Sequence, residues 1–177
     1  LKLRWRDLRE RSEGVSLHET IEWPNLTKEN RQLIAIEPFD VQVHGSETNG
    51  IGIVKGDLKS RATYRCSRCL CDFTEELHVP IAEHFVQKED DELSEADLFA
   101  GLDEQDRTPV TGDTLDLSPH LEQAVHLALP YNPVCKQDCA GLCPECGVNR
   151  NEVTCSCNTE RIDPRLADLA KFFEKDS

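Results

Sequence analysis

The chain has 177 residues, 38% of them hydrophobic and only 6% aromatic, with a formal net charge of −14. That length holds one domain or a domain with a small appendage, and the thin apolar content limits its core. No run of ~18 apolar residues occurs, which excludes a membrane-spanning helix. No Gly-rich phosphate loop, Gly-x-Ser-x-Gly elbow or zinc-protease His pair occurs either, which argues against an enzyme.

Residues 1–71 hold 12 basic and 10 acidic side chains, whereas residues 72–177 hold 8 and 24. The acidic total repels bare phosphate, but a local basic patch in the first part can still meet nucleic acid. No charged-then-apolar leader opens the sequence. Nine cysteines in such a chain point to metal or redox chemistry rather than a disulfide framework. A cytoplasmic location follows as the expectation, with no membrane partner and no small-molecule substrate.

Residues 1–11 carry Lys2, Arg4, Arg6, Arg9 and Arg11 and fit a short strand or a helical turn equally well. Residues 15–23 alternate weakly and predict a strand ended by Pro24. Residues 33–43 predict a strand interrupted near Pro38, and Thr48-Asn49-Gly50 is a hairpin signal. Residues 51–65 form the clearest strand. Val54, Leu58, Ala62 and Tyr64 fall on one face, and Lys55, Lys59, Arg61 and Arg65 on the other. The strand runs into Cys66-Ser67-Arg68-Cys69, and residues 73–86 alternate again as a return strand. The N-terminal part, 1–86, is therefore expected to be an antiparallel sheet with a cysteine turn at a hairpin tip. Lys55, Lys59, Arg61 and Arg65, with Arg68 in the turn, are the candidate phosphate contacts for structured RNA.

Between residues 83 and 106 stand ten acidic side chains and one lysine. Residues 87–113 are read as an acidic, solvated linker, or as a segment that holds a basic partner. Order returns with Ser118 as an N-cap, Pro119 in the first turn and Glu122 three residues further on. Leu121, Val125 and Leu129 share a helical stripe that ends at Pro130. The last part, 114–177, then carries a cysteine-rich segment and a helix opened by Asp163-Pro164.

Six cysteines lie within residues 135–157. Cys143-Pro144-Glu145-Cys146-Gly147 places two thiolates on one tight turn, the grip that a tetrahedral soft cation needs. Cys143, Cys146, Cys155 and Cys157 are the preferred ligand set for a structural Zn2+, with Cys135 and Cys139 as the competing pair. Cys66 and Cys69 could complete a second site, share one with Cys143 and Cys146, or form a redox pair. A redox role needs a helix N-terminus to lower one thiol, and strands flank this turn instead.

The order of these motifs resembles the YceD-like family, the large ribosomal RNA subunit accumulation proteins. The likeness rests on Thr63-Tyr64-Arg65-Cys66-Ser67-Arg68-Cys69-Leu70, the acidic middle, Asp116-Leu117-Ser118 and Leu129-Pro130. It continues through Cys139-Ala140-Gly141-Leu142-Cys143-Pro144-Glu145-Cys146-Gly147-Val148-Asn149, Cys155-Ser156-Cys157 and Asp163-Pro164-Arg165-Leu166. It covers nearly the whole chain. Arg150, where many relatives have Leu, and Cys71 depart from the pattern. The resemblance implies a bacterial cytoplasmic factor needed for normal levels of large-subunit rRNA, with no established catalytic residues. Some members keep the first cysteine turn and lack the later cluster.

Together these readings predict an α+β fold: an antiparallel sheet, an acidic linker, a helix, a zinc knuckle and a terminal helix. The function expected is non-enzymatic support of large-subunit rRNA, by binding rRNA or a precursor particle, with a ribosomal protein as a further candidate partner. The alternative is an acidic zinc-binding adaptor for a basic ribosomal protein or nuclease. A Cys-x-x-Cys thiol–disulfide enzyme ranks third.

Overall fold

The computed structural model describes residues 1–88 and 107–157. In chain order these form β1 (Lys2–Arg4), α1 (Trp5–Glu10), β2 (Val15–Ile21), α2 (Leu26–Glu29), β3 (Leu33–Ile36), β4 (Phe39–Thr48), β5 (Ile51–Arg65), β6 (Asp72–Lys88), β7 (Arg107–Thr111), β8 (Thr114–Asp116) and α3 (Ser118–Ala128). The main sheet runs β2-β4-β5-β6-β7, with β3 also paired to β5, and β1 and β8 make a small separate ribbon. All pairs are antiparallel except β6 with β7. The class is mixed α+β, dominated by antiparallel strands. The acidic stretch 89–106 and the expected terminal helix lie outside the described residues.

Side chains on a strand alternate between faces, so a sheet with one apolar face must be covered on that side. Val41 and Val43 of β4, Val54, Leu58, Ala62 and Tyr64 of β5, and Val79, Ile81 and Phe85 of β6 all point inward and are buried. The cover is built from both ends of the chain. Trp5 and Leu8 come from α1, Leu26 from α2, and Leu121 and Val125 from α3, all in one core with the sheet. Phe85 meets the His120 ring edge-on at 5.0 Å. The opposite face of the sheet is polar and open.

The β5–β6 hairpin dominates. Its ladder runs from Ile51↔Val86 to Arg65↔Asp72, some ~50 Å at ~3.3 Å per residue. It outgrows β4, whose pairing with β5 stops at Asp40↔Lys59. The short β3 takes over beyond that point, pairing Leu33 with Tyr64 and Ile36 with Ala62. Only two residues, Asn49 and Gly50, join β4 to β5. Both have positive φ, +54° and +80°, the geometry of the hairpin turn that Asn-Gly favours. At Gly56 the β4 backbone leaves no room for a side chain. A Cβ there would stand 2.1 Å from the Gln42 carbonyl oxygen and 2.7 Å from Val43 Cα.

Three expectations change at the level of local structure. Residues 1–11 form both a strand and a helix, because Leu3 pairs across to Leu115 while Trp5 and Leu8 turn onto the sheet. Strand structure also extends into the segment read as linker. Gln87 and Lys88 belong to β6, and 107–111 are β7. β7 pairs on one side only, so its Pro109 breaks no ladder. Finally, Ser118 is the first residue of α3 and not its cap. The carboxylate of Asp116 accepts the Ser118 N–H at 3.0 Å and does the capping work.

Adding a methyl group at Gly56 meets backbone, which cannot move aside without parting β4 from β5. Gly56→Ala is therefore expected to lower unfolding free energy by about 1–3 kcal/mol, read from urea denaturation. An unchanged denaturation midpoint would mean that the strands are not held this close.

Candidate metal centres at the hairpin tip

The turn between β5 and β6 is six residues long in sequence, from Cys66 to Cys71, and closes on itself. The Cys66 N–H donates to the Cys71 carbonyl at 2.9 Å and the Leu70 N–H to the Cys66 carbonyl at 3.0 Å. Leu70 takes a positive φ of +59° to make the closure. Both sulfurs of Cys66 and Cys69 consequently face the same side, toward the segment that follows α3.

That segment is tied down residue by residue. Ser67 donates both its N–H and its hydroxyl to the Pro133 carbonyl, at 2.8 and 2.9 Å. The Arg68 guanidinium donates through Nη1 to the carbonyls of Gln137 and Cys139, at 3.3 and 3.1 Å. The Leu142 N–H donates to the Arg68 carbonyl at 3.0 Å. Cys135 and Cys139 are thereby delivered to the hairpin tip.

Cys66, Cys69, Cys135 and Cys139 form one group whose sulfurs all lie within 4.8 Å of one another. Cys66 Sγ stands 3.8 Å from Cys139 Sγ, and Cys69 Sγ stands 3.6 Å from Cys135 Sγ. A disulfide would need ~2.05 Å. Four thiolates bound at ~2.3 Å to a tetrahedral ion stand about 3.8 Å apart. The donor set and its spacing therefore fit a soft divalent cation.

A second group, Cys143, Cys146, Cys155 and Cys157, meets the same 4.8 Å limit. Its frame is local. The Cys143 N–H donates to the Val148 carbonyl at 2.8 Å, and the Gly147 N–H to the Cys143 carbonyl at 2.9 Å. Leu142 and Asn149 make a single antiparallel bridge. This small loop returns the chain so that Cys155 and Cys157 reach the first pair.

The two Cys-x-x-Cys turns use the same electrostatic device. Burial pushes the Cys66 thiol up, but N–H groups of Cys69, Cys135 and Arg68 aimed at its sulfur prevail and bring it down to about 6. At Cys143 the N–H groups of Cys146 and Glu145 outweigh burial and also bring it down to about 6. The remaining members divide. Cys139 is lowered: burial opposes the thiolate, but the Asn151 amide and the Gly141 N–H favour it. Cys69 is raised; the Cys71 N–H favours its thiolate, but burial and the adjacent sulfurs outweigh this. Cys157 is pushed up to about 12, first by its contact with the Cys146 thiol and then by burial. Four thiols this close cannot all ionise beside one another, so they titrate as a unit. A bound dication removes that conflict, because it favours all four thiolates.

The geometry sorts the residues that the sequence singled out. Cys143, Cys146, Cys155 and Cys157 converge. Cys135 and Cys139 do not compete for that group but join Cys66 and Cys69. Cys71 stands outside both, exposed, and its sulfur accepts the Asn149 side-chain amide at 3.4 Å. Lys55, Lys59, Arg61 and Arg65 are all exposed on the outer sheet face. Arg68 stands apart from them in the turn, where its exposed guanidinium donates through Nη1 to the carbonyls of Gln137 and Cys139.

Cross-strand neighbours decide the character of that face. Lys59 lies opposite Asp40 on β4 and His78 on β6, and Arg61 lies opposite Glu76. Arg65 Nε binds Asp72 Oδ1 at 3.0 Å. His18 bonds Asp40, and His78 bonds Asp57. The His18 bond, then one from Gln42, hold the Asp40 carboxyl below its usual range. The face is a mosaic of both signs, not a basic strip. Asp57 on β5 already interrupts the stripe in the sequence, but the carboxylates of Asp40, Glu76 and Asp72 come from β4 and β6 and need the strand register to be placed. Their own alternation was the available signal.

Among the described residues no helix is long and apolar enough to cross a membrane. No solved structure matches the chain. The chain is 33% identical over 166 residues to an uncharacterized protein of Mycobacterium tuberculosis, covering 91% of this chain and 75% of that one. It is 26% identical over 165 residues to the uncharacterized protein YlbN of Bacillus subtilis, covering 93% and 91%. A chloroplastic protein of Arabidopsis thaliana named large ribosomal RNA subunit accumulation protein YCED homolog 1 is 33% identical over 61 residues, 34% of this chain and 19% of that one. The family described as large ribosomal RNA subunit accumulation protein YceD matches residues 54–173, from near the start of β5 past both cysteine groups, and this chain belongs to that family.

Proposed function

We propose that this protein supports the accumulation of large-subunit rRNA without catalysing a reaction, by holding rRNA or a precursor particle on a metal-stapled scaffold. Family membership carries the first half of this reading. The two cysteine quartets carry the second, since thiols grouped in fours at tetrahedral spacing suit a structural ion better than thiol–disulfide exchange. Zn2+ is the ion proposed for both, because four thiolates leave no open position and ask for no redox change. The place of action proposed is the cytoplasm.

Lys55, Lys59, Arg61 and Arg65 are the proposed phosphate contacts. Because Asp40, Glu76 and Asp72 sit beside them, the face would work by short-range, shaped contact with folded RNA rather than by a strong long-range field. That same charge balance favours a second reading. In it the chain is an adaptor, and its acidic residues hold a basic ribosomal protein or a nuclease.

Two measurements separate these readings. Ultraviolet crosslinking in cells, followed by sequencing of the attached RNA, is expected to show clusters in large-subunit rRNA. The double charge reversal Lys59→Glu and Arg61→Glu is expected to cut that signal and reduce the salt slope of binding in vitro by about 2. Crosslinks at background in the unaltered protein would favour the adaptor. Metal analysis by native mass spectrometry is expected to find two zinc ions per chain, one for each quartet. Cys66→Ser should then lose one ion and raise amide exchange in residues 133–142, which that quartet pins to the hairpin.

A further inference from the structure

The two quartets are built differently. In the hairpin quartet Cys66, Cys69 and Cys139 are at most 4% exposed, and only Cys135 is half-buried. Its ligands come from two segments of the chain 66 or more residues apart, one of them the tip of the longest hairpin. Opening it means pulling the segment after α3 off that tip, against the bonds of Ser67 and Arg68. In the C-terminal quartet only Cys143 is buried, Cys146 is exposed, and Cys155 and Cys157 are half-buried. Its ligands all lie on one loop, which can open without disturbing the sheet.

A polar bridge runs from that loop to the hairpin quartet. Asn149 and Asn151 lie between Cys146 and Cys155, inside the loop that the C-terminal quartet closes. The Asn149 Oδ1 accepts both the backbone N–H and the side-chain Nδ2 of Asn151, at 3.1 and 2.8 Å. Asn151 Oδ1 accepts the Ala140 N–H at 2.9 Å. Asn151 Nδ2 also donates to the sulfur of Cys139 at 3.4 Å. A donor on a thiolate ligand withdraws charge from a centre that carries two negative charges in excess, and so stabilises it. The loop holds that donor in place only while it is closed.

We infer that the quartets form a coupled pair, in which the hairpin quartet keeps its metal, the C-terminal quartet exchanges its metal, and Asn151 transmits the state of the second to the first. This rests on the reading that both quartets bind metal. Exchange is simple ligand replacement: a competing chelator takes the dication, and the freed thiolates take up protons from solvent. Asn151 is a positioning residue, acting on the hairpin centre only through Cys139.

The test uses the full zinc-loaded chain. Native mass spectrometry first counts the ions, and their exchange against an excess of isotopically labelled zinc, which keeps both quartets occupied, is then followed in time. Two ions exchanging in two phases are expected, with Cys157→Ser abolishing the fast phase and, because the loop is then unclosed, accelerating the slow one. Asn151→Ala should accelerate the slow phase about 10-fold and leave the fast phase in place. In the Co2+-loaded protein it should shift the sulfur-to-cobalt charge-transfer band to lower energy, which a merely looser loop would not do. Asn151→Asp, which keeps the acceptor for Ala140 but removes the donor to Cys139, should act in the same direction. A count of one ion or none overturns the two-centre reading and this inference together. Two ions exchanging in one phase, or a slow phase and band unmoved by both Asn151 variants, overturn this inference alone.

Discussion

A long hairpin that outgrows its sheet has to be held at its free end, and here hydrogen bonds from Ser67 and Arg68 tie that end to the segment that follows α3. β5 and β6 continue past the last rung of β4, with β3 alone flanking β5 over that stretch. Two strands in water are marginal by themselves. The Cys66–Cys71 turn meets the segment carrying Cys135 and Cys139, which closes over it through Ser67, Arg68 and the four sulfurs. Helix α3 is anchored on the sheet by Leu121 and Val125. The chain that leaves it therefore arrives at the tip from a fixed starting point. The fold of the body and the closure of the tip depend on each other.

The same arrangement fixes what the two faces of the sheet can do. The inner face is filled, because segments on both sides of the sheet in the sequence supply cover: Leu3, Trp5 and Leu8 before it, Leu115, Leu117, Leu121 and Val125 after it. The outer face is left to solvent and to partners. On it, carboxylates from β4 and β6 stand beside the cations of β5. A surface of this kind has little net field beyond a Debye length. It favours partners that match its pattern at close range over any polyanion that drifts by.

The tip is also where the chain is most chemically distinctive. Two Cys-x-x-Cys turns each aim backbone N–H groups at their first sulfur, which makes a thiolate available near neutral pH. One quartet is buried and spans the fold, while the other is exposed and local. Asn149 and Asn151 lie between the two groups and join the loop of the second to Ala140 and Cys139 of the first by hydrogen bonds.

What the sequence by itself determined is the part governed by neighbours along the chain. Strict alternation marked β5 and most of β6, Asn49-Gly50 marked the turn, and the spacing of Leu121 and Val125 marked α3. The Cys143-x-x-Cys146 turn marked two thiols set on one side of a tight turn, since a two-residue spacing by itself brings them together. Tertiary structure alone decided which cysteines meet, because Cys66 and Cys139 are 73 residues apart and no local pattern pairs them. It also decided that Arg68 braces the carbonyls of Gln137 and Cys139, and that Lys59, Arg61 and Arg65 face Asp40, Glu76 and Asp72. Those outcomes depend on strand register, and register is set by the packing of the whole sheet against its cover.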